Sequence, residues 1–227
     1  MNNYWLEFVL IVMLIFTYLG DLMQIAVRVI ISVVDQPNLS THLVTLSLLI
    51  NRFGASLGLL LIGFLIDSGV SVASLSISYA ISALCIAMLY SLTGSYPVLG
   101  PHFLVPFIQR YYKLDVTHKE PVFEMPIWRQ SPIDVALVNA LAILGFLVPS
   151  LLAAAIPDFR ATLLQTGFIL NSFGTLYSAL SIEKRLAITL NRGSESEKWA
   201  AYVTFMRARS IGSVVAAGVL ICILPFV

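Results

Sequence analysis

Apolar runs of about 20 residues recur along almost the whole chain, and no other feature constrains its fold so strongly. A helix needs roughly that length of apolar side chain to cross the hydrocarbon core of a bilayer. A soluble domain has to cover its surface, and roughly 25% of its residues are charged. Here 59% of the 227 residues are hydrophobic and only 11% are charged. The expected fold is therefore all-α, a polytopic integral membrane bundle of about six transmembrane helices forming a single domain. By length and flanking residues, the expected spans are residues 6–32, 42–66, 72–92, 133–156, 159–182 and 199–226. Turn-forming or helix-breaking residues separate them: Asp35-Gln36-Pro37-Asn38, Asp67-Ser68-Gly69, Thr93-Gly94-Ser95 and Pro157-Asp158.

Residues 93–132, between the third and fourth spans, are of another kind. They hold six of the ten prolines, at positions 97, 101, 106, 121, 126 and 132, a density that excludes one regular helix. The stretch Phe103-Leu-Val-Pro-Phe-Ile-Gln-Arg-Tyr-Tyr mixes aromatics with a basic residue, as segments lying in the headgroup layer do. The segment reads as a Pro-rich interfacial loop, with a re-entrant hairpin as the rival.

A formal net charge of +1 gives no field that would draw in nucleic acid, so the placement of charge matters more than its sum. The first two connections lack Lys and Arg. The third holds Arg110, Lys113, Lys119 and Arg129, and the fifth holds Lys184, Arg185, Arg192 and Lys198. In a six-span bundle these two fall on one side, which positive-inside charge bias makes cytoplasmic, and both termini then face away from the cytoplasm. The N-terminal apolar run has no preceding basic residue and is too long for a cleavable signal peptide. Cys85 and Cys222 lie in apolar runs and read as packing residues, so no disulfide, metal or cofactor is implied.

Charges inside spans are costly and mark functional candidates. On the first span Asp21, Gln24 and Arg28 are spaced to share a face. The second carries Asn51, Arg52, Ser56, Gly63 and Asp67, and the third has a serine stripe at 71, 74, 78 and 82. The fifth aligns Arg160, Gly167, Asn171, Gly174 and Ser178, and the sixth opens with Arg207 and Arg209. Arg52 lies eleven residues into its span, roughly 16 Å deep at 1.5 Å per residue. With the expected orientation, Arg28, Arg52, Arg207 and Arg209 put four guanidinium groups in the inner half, with few acids at that depth. Guanidinium pairs with phosphate through bidentate charge-assisted bonds. The candidate substrate-binding residues are Arg28, Arg52, Arg160, Asn171 and Arg209, with Asp21 and Asp67 as charge-balancing or proton-responsive groups. The plainer readings are close packing for the glycine and serine stripes, interfacial anchoring for Arg160, Arg207 and Arg209, and a structural ion network for Asp21 and Arg28. His42, His102 and His118 sit at span ends or in loops, and the chain has no HExxH or nucleophile-elbow pattern, which leaves an enzymatic reading without a nucleophile or base.

Several of these segments resemble motifs of the Amj family, the alternate lipid II flippases of bacteria. Gly20-Asp-Leu-Met-Gln-Ile-Ala-Val-Arg28 resembles its first-span Asp…Arg motif, and Leu46-Ser-Leu-Leu-Ile-Asn-Arg-Phe-Gly-Ala-Ser its second-span motif, closed by the Asp of Ile66-Asp67. Pro157-Asp-Phe-Arg-Ala-Thr162 and Ile169-Leu-Asn171-Ser-Phe-Gly-Thr175 resemble its Pro…Arg-x-Thr…Asn helix, and Arg209-Ser-Ile-Gly212 is similar to its last-span Arg-x-x-Gly. Where the family has an Asp-Pro pair and a second Asp after the fifth span, this chain reads Glu183-Lys184 and Leu190-Asn191. The resemblance implies a multi-pass flippase of the cytoplasmic membrane, not an enzyme, whose substrate is undecaprenyl-pyrophosphate-linked peptidoglycan precursor. Its expected partners are that polyprenyl-pyrophosphate lipid and membrane lipids, with no nucleic acid. The alternatives are a flippase for another polyprenyl-linked glycolipid and a non-catalytic membrane subunit of an envelope complex.

Overall fold

The computed structural model describes residues 4–34, 37–97, 106, 110 and 132–226, and each expected span within them is helical. In chain order the elements are α1 (Tyr4–Val34), α2 (Pro37–Asp67), α3 (Val72–Ser95), α4 (Pro132–Ala155), a 3-10 turn (Pro157–Phe159) and α5 (Arg160–Tyr177). A π-helical turn (Ser178–Glu183), α6 (Lys184–Arg192), α7 (Glu195–Ile223) and a 3-10 turn (Leu224–Phe226) follow among the described residues. Among the described residues there is no strand. The protein is an all-α, multi-pass helical bundle. Most of the Pro-rich loop expected over 93–132 lies outside the described residues, although α3 runs on through Ser95.

Local chemistry explains where the helix ends differ from expectation. Helix α2 starts at Pro37 instead of residue 42, because proline's fixed φ and missing N–H suit the first helical turn. Helix α7 starts at Glu195 instead of residue 199. Ser194 caps it, accepting from the Glu197 N–H at 3.3 Å while the Glu197 carboxylate accepts from the Ser194 N–H at 2.7 Å. Between α2 and α3, Gly69 takes φ +73°, a left-handed turn that the absence of a Cβ permits.

Among the described residues five helices, α1 to α4 and α7, are long and apolar enough to cross a membrane. The expected fifth span, 159–182, is helical throughout its described length, as α5 and the π-helical turn that follows it. Its helix α5 is not among the five, because Arg160, Gln165, Asn171 and several Thr, Ser and Gly residues dilute its apolar content. It nonetheless runs the height of the bundle. Arg160 at its start pairs with Asp67 at the end of α2, and Glu183 beyond its end pairs with Arg28 near the end of α1.

The packing is uneven. Helices α3 and α7 pack along their length, and α1 and α4 join them to form a four-helix scaffold. Helix α2 packs on α1, and α5 packs on α4, but α2 and α4 touch only lightly. Small residues allow the close approaches that dispersion-driven packing in lipid requires. A Cβ at Gly54 would lie 2.8 Å from Thr17 Oγ1, and one at Gly20 would lie 2.8 Å from the Asn51 nitrogen. On the other side, Pro149 cannot donate to the Gly145 carbonyl one turn back, and that oxygen would sit 3.0 Å from a Cβ at Gly167. Two apolar cores result. One, near the C-terminal end of α1, contains Ile25, Val29, Tyr90, Leu186, Trp199 and Phe205. The other, near the C-terminal end of α2, contains Leu14, Ile62, Tyr79, Ile143, Leu147 and Leu220.

Candidate functional site

Between the two cores lies a polar layer, and beside it a cavity of about 300 Å³. Its back wall comes from the scaffold: Tyr18, Asp21 and Gln24 of α1, Asn139 of α4, and Phe205 and Arg209 of α7. Its flanks are Leu48, Asn51 and Ala55 of α2, and Asn171, Gly174 and Thr175 of α5. The π-helical turn adds Ser178, Ile182 and Glu183. Single π turns inside α-helices concentrate at functional sites, because the extra residue re-aims the side chains around it.

The layer is organised around Arg209. Its guanidinium pairs with the Asp21 carboxylate, and Arg209 Nη1 also donates to the Tyr90 hydroxyl at 3.1 Å. Tyr90 donates in turn to Asp21 Oδ2 at 3.2 Å. The guanidinium carbon lies 4.8 Å from the Phe205 ring centroid and 5.7 Å from that of Tyr90, so aromatic faces supply cation–π attraction where water is scarce. Asn139 donates to the Arg209 carbonyl and to Ser213 Oγ, each at 2.9 Å, tying α4 to α7. Asn51 donates to the Thr17 carbonyl at 3.0 Å, which fixes the α2 flank to α1.

The sequence-predicted residues separate into three groups. Asp21, Asn171 and Arg209 line the cavity. Arg28 pairs with Glu183 at 3.5 Å at one end of the cleft between α2 and α5, and Arg160 pairs with Asp67 at the other. Arg52 is exposed, does not line the cavity, and has no ionic partner among the described residues. Four inner guanidinium groups short of acids are thus not what the fold builds. Asp21 neutralises Arg209, Glu183 neutralises Arg28, and Arg207 is exposed with its stem against Gly94. The reason is geometric: single-helix spacing puts Asp21 and Arg28 on one face, but each finds its counter-charge on another helix. Sequence reasoning missed Tyr90 and Phe205, which sit in apolar runs, and Glu183, whose role depends on the π turn.

The basic residues of the fifth connection gather at the α1 C-terminal end of the bundle. Lys198 Nζ donates to the Ser32 carbonyl at 2.7 Å, and Arg185 pairs with Asp134 at 3.2 Å. Among the described residues no three His, Cys, Asp or Glu side chains converge as a metal site would need. No family model, curated protein or solved structure matches the chain.

Proposed function

We propose that this protein is a lipid flippase of the bacterial cytoplasmic membrane that carries a polyprenyl-pyrophosphate-linked peptidoglycan precursor from the inner to the outer leaflet. The observation that carries the reading is a cavity with a polar layer in its wall, set in a membrane bundle beside a seam between α2 and α5 that, among the described residues, helix packing leaves open. A lipid with a large polar head needs such a seam, because its head must cross through protein while its tail stays in hydrocarbon. One ion pair stands at each end of the seam, Arg28–Glu183 and Arg160–Asp67, a placement suited to opening one end at a time. With the basic end taken as cytoplasmic, Arg28–Glu183 guards the entrance and Arg160–Asp67 the exit. The volume is at the small end for ligand sites, so the cavity admits part of a headgroup and must widen to pass the whole.

The precursor is named from the resemblance to the Amj motifs. A second cargo, another polyprenyl-linked glycolipid, is favoured by one particular: Glu183, where the chain departs from those motifs, lines the cavity. Complementation tests the reading. In a bacterium depleted of its lipid II flippases, the wild-type chain should restore growth and Gly174→Leu, which fills the cavity, should not. An abundant wild-type protein that fails to rescue overturns the lipid II assignment. Flipping of a different polyprenyl-linked lipid in vesicles would then support the second cargo.

A further inference from the structure

Arg52 and Arg209 both lie well inside apolar helices, and their surroundings differ. Arg209 is already paired with Asp21, braced by Tyr90 and covered by Phe205. The cavity-lining charges are Asp21, Glu183 and Arg209, and with Arg28 on Glu183 the acids and bases balance. A phosphate placed there would face two carboxylates and would have to break an existing pair. The rest of the lining is amide, hydroxyl and apolar. That chemistry suits the hydroxyls and amides of a sugar, not a phosphate.

Arg52 lies elsewhere on the same seam. Around α2, Gly54 packs toward α1, Leu48, Asn51 and Ala55 face the cavity, and Leu49, Phe53 and Leu60 are exposed. At 3.6 residues per turn, Arg52 falls about 40° past Leu48, between the cavity-facing stripe and the exposed apolar face. It therefore stands on the rim of the seam, near the middle of the apolar span His42–Asp67, with no acid beside it among the described residues. An unpaired guanidinium at that depth is expensive unless an anion meets it.

We propose that the site is divided: Arg52 holds the pyrophosphate of a lipid carrier at the rim, the cavity holds the sugar next to it, and the Asp21–Arg209 pair stays intact. This deepens the flippase reading and rests on it. It accounts for the geometry of such a lipid, whose pyrophosphate lies between a tail that remains in hydrocarbon and a hydroxyl- and amide-rich sugar that does not.

The test is binding to the full chain in nanodiscs, with sugar-free undecaprenyl pyrophosphate, the glycosylated lipid and inorganic pyrophosphate as probes. Arg52→Gln should weaken the sugar-free lipid by at least about tenfold, the loss of a bidentate charge-assisted contact, and Arg52→Lys should recover part of it. Gly174→Leu should weaken the glycosylated lipid alone. Because Arg52 is exposed, Arg52→Gln should accumulate and elute like wild type; loss of the folded protein would instead assign Arg52 a structural role and overturn the proposal. Unchanged binding of both lipids by Arg52→Gln, or equal loss of both lipids in Gly174→Leu, overturns the division. Inorganic pyrophosphate held as tightly as the lipid overturns the lipid source in favour of the free anion. If the division holds in binding but no lipid moves between leaflets, the site stands and the transport reading falls.

Discussion

The scaffold of α1, α3, α4 and α7 and the two flanks, α2 and α5, are built from similar residues but packed differently. Every scaffold helix is gripped from more than one side, whereas among the described residues α2 packs mainly on α1, α5 packs mainly on α4, and a seam lies between them. Two glycines of α5 show the contrast within a single helix. A Cβ at Gly167 would press on the Gly145 carbonyl of α4, whereas one at Gly174 would meet nothing within 4 Å. The difference teaches that the polar stripe of α5 serves two ends at once: its first half fastens the helix to the scaffold, and its second half leaves space.

If the scaffold is the rigid part, breaking it should cost the most. Arg209→Gln leaves the largely buried Asp21 without its cation, with only the Tyr90 hydroxyl still donating to it, and should destabilise the protein by about 3 kcal/mol in reversible unfolding in micelles. Adding Asp21→Asn should recover much of that, because the unpaired charge is gone; a double variant as unstable as the single would place the damage in packing. Gly212→Ala comes next. A Cβ there runs into the Ala136 carbonyl, and overpacking at the α4–α7 contact should cost about 1–3 kcal/mol. On the flanks the effects should be small. Arg160→Gln removes an ion pair whose Asp67 side chain is 68% exposed, and unfolding should shift by no more than about 1 kcal/mol. Gly174→Leu should change stability least, by about 0.5 kcal/mol or less, while abolishing flipping. A large stability loss in Gly174→Leu would mean that the space beside it closes in the working protein.

Five membrane-crossing helices were legible because apolar length is a one-dimensional signal that tertiary packing does not override. Helix α5 was harder to read, since a helix that lines a polar cavity loses the very apolarity by which spans are recognised. Residues 159–182 were still read as a span by length and flanking residues, and the stripe of Gly167, Asn171 and Gly174 gave that span its polar face. Asp21, Asn171 and Arg209 were legible as candidates, but which charges pair was not, because a pair such as Asp21–Arg209 joins residues of different helices and depends on how they are rotated. Tyr90 carried no signal at all. A tyrosine in an apolar run looks like core until its hydroxyl is found between a carboxylate and a guanidinium.

The central claim is that cargo passes along the seam between α2 and α5, and restraining that seam tests it most directly. With Cys85 and Cys222 replaced by Ala, the pair Ala55→Cys and Thr175→Cys places one thiol on each flank of the cavity, where a cleavable bifunctional reagent can join them. A second pair, Leu84→Cys and Val214→Cys, puts exposed thiols on α3 and α7 of the scaffold, where the same reagent tethers them as a control. The account predicts that joining the flanks stops lipid flipping in reconstituted vesicles, that reductant restores it, and that the scaffold tether leaves it unchanged. Full-rate flipping with the two flanks joined would contradict it.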